Sequence, residues 1–298
     1  MSSAVETKLL TIGINDARYP TLLRQILKPP QQLYALGNVD LLQHPYLLAV
    51  VGSRRANEYG KRAAQQLLPP VIRAGVILVS GLAHGIDSLA HHACVELGSP
   101  TIAVLGSGTD EASLYPQTNI PLMRKIVETG GLVISEYPPG TKALLHHFPA
   151  RNRIVAGIAR ATFIMQAAQR SGSLITGRLA LESNRDVLAL PGNITDPLAA
   201  GTNALIRDGA QCVLEAQDIL DAFDLEPEQV ATHQAETIEH NLTTDQALLL
   251  KHLSTEPMHI DVLIAKSHLP VHTISATLLE LELLGTVEQI GGMRYIRK

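Results

Sequence analysis

Three glycine-bearing turns each follow an apolar run that reads as a strand: Gly52-Ser53-Arg54, the stretch Gly81-Leu82-Ala83-His84-Gly85-Ile86-Asp87, and Gly106-Ser107-Gly108. At the edge of an open α/β sheet such turns lead into helices whose first N–H groups are unpaired, and those groups suit anions. One glycine after a strand marks only a tight turn. Three on one edge, one of them carrying Arg54, predict a phosphate site. A second cluster, Phe148-Pro149-Ala150-Arg151-Asn152-Arg153-Ile154, places two arginines around an asparagine just after an aromatic. Guanidinium groups fork phosphate oxygens and an aromatic face stacks a base, so Phe148, Arg151, Asn152 and Arg153 suit a nucleotide chain. A third, Ser171-Gly172-Ser173-Leu174-Ile175-Thr176-Gly177, opens a helix with small hydroxyl residues, again an anion cradle or, for Ser173, a simple cap.

Other chemistries lose support. Neither G-x-G-x-x-G nor G-x-x-x-x-G-K-[ST] occurs, and the serines are not in a G-x-S-x-G setting. The 12 histidines include His91-His92 and His146-His147. Helical neighbours point about 100° apart and do not share an ion, so no metal site is expected. His84 is the histidine placed to act, and Asp87 is expected to fix its loop by capping the next helix.

These motifs need a scaffold, and the chain of 298 residues, 46% hydrophobic and 17% charged, has the means for a large core. No apolar run reaches the roughly 18 residues of a membrane span. Met1–Gly13 lacks the basic and apolar regions of a secretion signal, and Cys94 and Cys212 read as buried thiols of a reducing cytosol. The net charge of −4 hides an asymmetry. Residues 1–214 hold 19 Lys/Arg against 14 Asp/Glu, whereas residues 215–239 hold 8 acids and neither Lys nor Arg. An acidic segment thus masks a mildly basic main domain.

Continuously apolar runs at Leu48–Val51, Val76–Ser80, Thr101–Leu105, Leu132–Ser135, Thr162–Met165 and Val187–Leu190, with a shorter one at Gln211–Leu214, alternate with helical stretches. That rhythm predicts a doubly wound parallel sheet covered on both faces. Residues 1–46 read as an N-terminal arm packed against that sheet, 47–214 as the sheet domain and 215–241 as an acidic linker. In 242–298, three helices and a hairpin around Gly291-Gly292 predict a winged helix, its first helix capped by Thr244 and its third closed by Gly285. That third helix, Val271–Leu284, has no Lys or Arg and carries Glu280 and Glu282. A helix that reads a DNA groove projects cations, so this unit is expected to contact protein or regulate assembly rather than read duplex DNA.

The ordered series Gly52-Ser53-Arg54, Ser80–Asp87 with Ala90-His91, Phe148-Pro149 with Arg151–Ile154, Ser171–Thr176, Ala189–Gly192 and Gly201-Thr202-Asn203 resembles the DNA-processing protein A (DprA/Smf) family. The resemblance implies an α/β, extended Rossmann-type domain with a C-terminal winged helix. It further implies a cytoplasmic homodimer, joined through the Rossmann-like domain, that binds single-stranded DNA and loads RecA during natural transformation. No catalytic activity and no cofactor are implied. By motif position Arg54 would bind phosphate, and Phe148 would stack or brace a base. Arg151, Asn152, Arg153, Gly172 and Ser173 would line the same pocket; Gly52, Ser53, Gly81, His84, Gly85 and Thr176 complete the expected DNA-binding set. Residues 1–46 are too short for the N-terminal helical domain of many members, and Gly177 stands where Ala is frequent. A different reading is a nucleoside-monophosphate phosphoribohydrolase, loosely suggested by Gly172–Thr176 followed by Glu182, although the tighter loop of those enzymes is missing.

Overall fold

A computed structural model of the chain describes residues 9–225 and, between 243 and 297, all but 255, 256, 268, 284, 285 and 291. The chain divides into two compact units after Pro227. In the first, nine strands form one sheet: β1 (Leu10–Gly13), β2 (Gln32–Gly37), β3 (Leu47–Gly52), β4 (Ile77–Ser80), β5 (Thr101–Leu105), β6 (Leu132–Ser135), β7 (Ala161–Gln166), β8 (Asp186–Ala189) and β9 (Gln211–Cys212). Their order is β1-β2-β6-β5-β4-β3-β7-β8-β9. The strands from β6 to β9 run parallel, and β1 and β2 join antiparallel at one edge. The expected parallel sheet is therefore present. Residues 1–46 do more than pack against it, because they supply two of its strands.

Alternate side chains along each strand serve opposite cores, as the pleat requires. Leu47, Ala49 and Val51 join one core with Ile154 and Ile158 of α5 (His147–Ile158) and Ala180 of α6 (Gly172–Glu182). Leu48 and Val50 join the other with Leu67, Leu68 and Val71 of α2 (Glu58–Arg73) and Ile86 and Ala90 of α3 (Ile86–Glu96). A third cluster packs Leu122, Met123 and Ile126 of α4 (Ile120–Glu128) on Leu105 and Val133. Cys94 is buried as expected, but Cys212 is only half-buried. Sequence order climbs from β3 to β6 in one direction and resumes at β7 on the other side of β3. The switch point thus lies between β3 and β7, where ligands of open α/β sheets bind. Pairing of these two strands shifts register between Val51 and Gly52, at the mouth of that crevice.

Among the described residues the second unit holds three helices, Thr244–His252, Ile260–Ser267 and Val271–Leu283, and a small sheet of Met258–His259, Val287–Gln289 and Arg294–Arg297. Leu249, Leu263, Ile274, Leu278 and Leu281 close its core. The first helix is capped one residue earlier than expected: the Thr243 side chain accepts from the Gln246 N–H, and Gln246 returns the bond. Of the expected 215–241 linker, residues 215–225 pack Ile219, Leu220 and Phe223 into the core of the first unit; residues 226–242, with Gly285 and Gly291, lie outside the described residues.

Candidate nucleic-acid interface

The turn after β3 and the turn after β4 are built on each other. The Ile86 N–H donates to the Ser53 carbonyl (3.1 Å), and the Arg55 N–H donates to Ser53 Oγ (3.1 Å). Gly85 has φ +74°, and a Cβ there would collide with the Ser53 and Arg54 backbone, so both conformation and packing require glycine. Asp87 fixes this loop, but not as a helix cap. Buried in the first turn of α3, its Oδ2 accepts from the N–H groups of Gly81 (3.1 Å) and Ala83 (3.4 Å), while Gly85 occupies the cap position.

Arg151 is the buried partner of this loop. It is 4% exposed, and its Nη1 donates to the carbonyls of Gly81 (2.7 Å) and Val104. Burial pulls its guanidinium down to about 10, with Asp87 opposing and Arg54 assisting that shift. Burial likewise raises the Asp87 carboxyl, with Arg151 and the two backbone N–H groups opposing. Arg151 thus knits two strand ends together rather than reaching into solvent. Arg153, two residues on, turns elsewhere. Its Nη2 and Nη1 donate to Glu136 at 2.6 and 3.0 Å, and it lines neither cleft described below.

At the switch point a cleft of about 410 Å³ opens between Gly52, Ser53 and Arg54 on one side and Arg170 to Ser173 and Thr176 on the other. Phe148, Arg151 and Asn152 form its wall. Ser171, not Ser173, caps α6: its Oγ accepts from the Ser173 N–H at 3.3 Å and lies 2.7 Å from Ser173 Oγ. Arg54 is exposed on its turn, with its Cζ 5.2 Å from the centroid of the half-buried Phe148 ring. A second cleft of about 260 Å³ adjoins Phe148 and is lined by Arg54, Arg55, Gly81, His84, Tyr115 and Arg151 among others. The expected residues therefore converge except for Arg153, and Gly85 serves as the joint between loops. The expected set lacks Arg55, Arg170 and Tyr115; Arg55 adjoins Arg54 without a spacing of its own, and a lone arginine or tyrosine in a loop, as at Arg170 and Tyr115, carries no spacing signal. Asp87 is the one carboxylate lining these two clefts. Glu182 is exposed in the last turn of α6, ten residues and about 15 Å along the axis from Gly172, away from the cleft.

Gly172 is the open floor of the cradle. A Cβ built there meets nothing within 4 Å, so Gly172→Ala fits the protein. Removing a glycine from the first helical position should leave stability unchanged or raise it by up to about 1 kcal/mol. A phosphate that approaches the backbone here would meet the new methyl. Affinity for an anionic ligand should fall about tenfold while the melting temperature holds, a split that paired binding and thermal measurements will read.

The fold and this site define an extended Rossmann-type protein with arginines and an aromatic ring set around the start of α6, followed by a winged-helix unit. The sequence profile of "DNA recombination-mediator protein A" matches residues 10–224, and that of the "DprA winged helix domain" matches residues 233–293. The chain belongs to the DNA recombination-mediator protein A, or DprA/Smf, family. It is 35% identical to Protein Smf of Synechocystis sp., over 95% of this chain and 79% of that one. The crystal structure of DNA processing protein A from Streptococcus pneumoniae aligns with a TM-score of 0.67 at 42% identity, covering 74% of this chain and 75% of that one. The Helicobacter pylori homologue, described for its single-stranded DNA binding mode, aligns with a TM-score of 0.65 at 29% identity over 76% of this chain and all of that one. No helix among the described residues is long and apolar enough to cross a membrane.

Proposed function

We propose that this chain binds single-stranded DNA across the switch-point cleft and works as a recombination mediator without chemistry of its own. It would act in the cytoplasm as a homodimer joined through its Rossmann-like domain, handing the bound strand to RecA during natural transformation. The observation that carries the reading is the pairing of exposed Arg54 with the Phe148 ring at the mouth of a cleft floored by Gly172 and Thr176. A cation for phosphate beside an aromatic for bases is the minimum apparatus for a single strand, and it needs no base sequence. Family membership and the Helicobacter pylori relative point the same way.

The test is fluorescence anisotropy of labelled oligo-dT over a salt series, beside a duplex of equal length. Binding should be tight and salt-sensitive, with a log–log slope of about −0.7 for each phosphate neutralised, and the duplex should bind far more weakly. No oligo-dT binding at low salt by folded protein would end the proposal. RecA assembly on the same strand, with and without this protein, then tests the handover. The winged-helix unit is assigned to protein contacts: Val271 and Leu279 are exposed on a helix whose other exposed residues include Glu280 and Glu282, and whose sequence holds neither Lys nor Arg. A chain ending at residue 225 should therefore keep its single-strand affinity to within about twofold, and a large loss would overturn that assignment.

A further inference from the structure

The second cleft beside Phe148 has an aromatic of its own. Tyr115 is 56% exposed, in a chain with no Trp and three Phe. An aromatic left in water forgoes the burial that usually justifies so large a side chain. Nor does it hang on a loose loop. Asp110 Oδ2 accepts from the Ser113 N–H (3.1 Å) and Oγ (2.8 Å), and its Oδ1 accepts from the Gly140 N–H (2.6 Å). Just past Tyr115, Asn119 Nδ2 donates to the Leu82 carbonyl (2.9 Å) and to Ser88 Oγ (3.0 Å), tying this segment to the loop after β4. The phenol ring is held out by a fixed frame.

The Tyr115 and Phe148 ring centroids are 5.7 Å apart, with planes inclined at 51°. A base sandwiched between two rings needs two contacts of about 3.5 Å, or roughly 7 Å, so no base enters between them. Phe148 lines both clefts, whereas Tyr115 lines the second alone. Arg54 lines both clefts and Arg55 lines the second. We propose that the second cleft is a further nucleotide subsite for a bound single strand, with Tyr115 stacking a base, Arg55 meeting a phosphate, and Arg54 holding the phosphate between the two subsites. This rests on the single-strand reading above and extends it from one nucleotide position to two.

The experiment compares wild type, Tyr115→Phe, Tyr115→Ala and Arg54→Ala by anisotropy, on oligo-dT and on an oligomer of abasic deoxyribose phosphates of equal length. Tyr115→Ala should weaken oligo-dT binding by about fivefold to a hundredfold, the range for one stacked base, while Tyr115→Phe stays within about twofold. On the abasic oligomer the Tyr115→Ala loss should vanish, whereas the Arg54→Ala loss should persist. An oligo-dT carrying 5-iododeoxyuridine should photocrosslink to Tyr115. Equal losses for Tyr115→Ala on both oligomers would make the ring a structural brace and overturn the subsite. Wild-type binding by Tyr115→Ala alongside weakened Arg54→Ala would overturn the subsite and leave the single-strand reading standing. Failure of the wild type itself to bind oligo-dT would remove both.

Discussion

Arg151→Ala should destabilise the first unit by about 3–5 kcal/mol, because it leaves the buried carbonyls of Gly81 and Val104 without their donor and the buried Asp87 carboxyl without a nearby guanidinium. At roughly 2–4 °C per kcal/mol for a unit of this size, thermal unfolding should fall by about 6–20 °C. Part of that cost lies with Asp87, which burial already disfavours as an anion and which the Arg151 guanidinium helps to keep ionised. A carboxyl whose folded pKa lies above its unfolded value makes the folded state hold more protons. Its contribution is therefore fully favourable at pH below the ordinary carboxylate range and is lost as pH rises through the folded pKa. Losing Arg151 raises that folded pKa further, so the deficit of Arg151→Ala should be larger near pH 8 than near pH 5. Adding Asp87→Asn to Arg151→Ala removes the stranded charge and should recover roughly 1–2 kcal/mol. Urea unfolding at the two pH values, on single and double variants, checks all three statements. A deficit independent of pH and of Asp87 would mean that Arg151 acts only through the carbonyls of Gly81 and Val104.

The contrast between Arg151 and Arg153 marks the limit of what the sequence conveys. Both arginines flank Asn152 and look equivalent as cations. On α5 residues two apart point about 200° around the axis, so one meets the sheet edge and the other meets Glu136. Glu136 is 17 positions away, and nothing local announces the pairing. Helix α5 itself was hidden because His147, Arg151 and Ile154–Ile158 are all buried, which erases the one-sided pattern by which surface helices are recognised. The parallel strands were legible for the opposite reason: burial on both faces makes them unbroken apolar runs. Leu10–Gly13 and Gln32–Gly37 carry no such signal, because an edge pair of short strands, partly exposed, has no unbroken apolar run. The positions of the glycine turns and of Ser171–Thr176 were legible, since backbone geometry at strand ends dictates residue type locally. Which side chain stays free for a ligand depends on distant partners.

Among the described residues Arg54 is one such free side chain, and its relation to Phe148 sets the remaining prediction. Arg54→Ala removes a charge-assisted phosphate contact worth about 1.5–3 kcal/mol, and should flatten the single-strand salt slope by about 0.7. Phe148→Ala removes a stacking face worth about 1–3 kcal/mol. With the guanidinium 5.2 Å from the ring centroid, the ring also keeps the cation in place before any strand arrives. Cation–π contacts at exposed sites supply about 0.5–1 kcal/mol, so the double variant should lose less than the sum of the single losses by about that amount. The salt slope should stay close to wild type in Phe148→Ala, because an unbraced guanidinium still releases counterions when it meets a phosphate. Anisotropy titrations of the four proteins at three salt concentrations give both quantities from one data set. Additivity within about 0.3 kcal/mol would make Phe148 a platform for bases alone, whereas coupling with an unchanged slope would show the ring working through the arginine it orients.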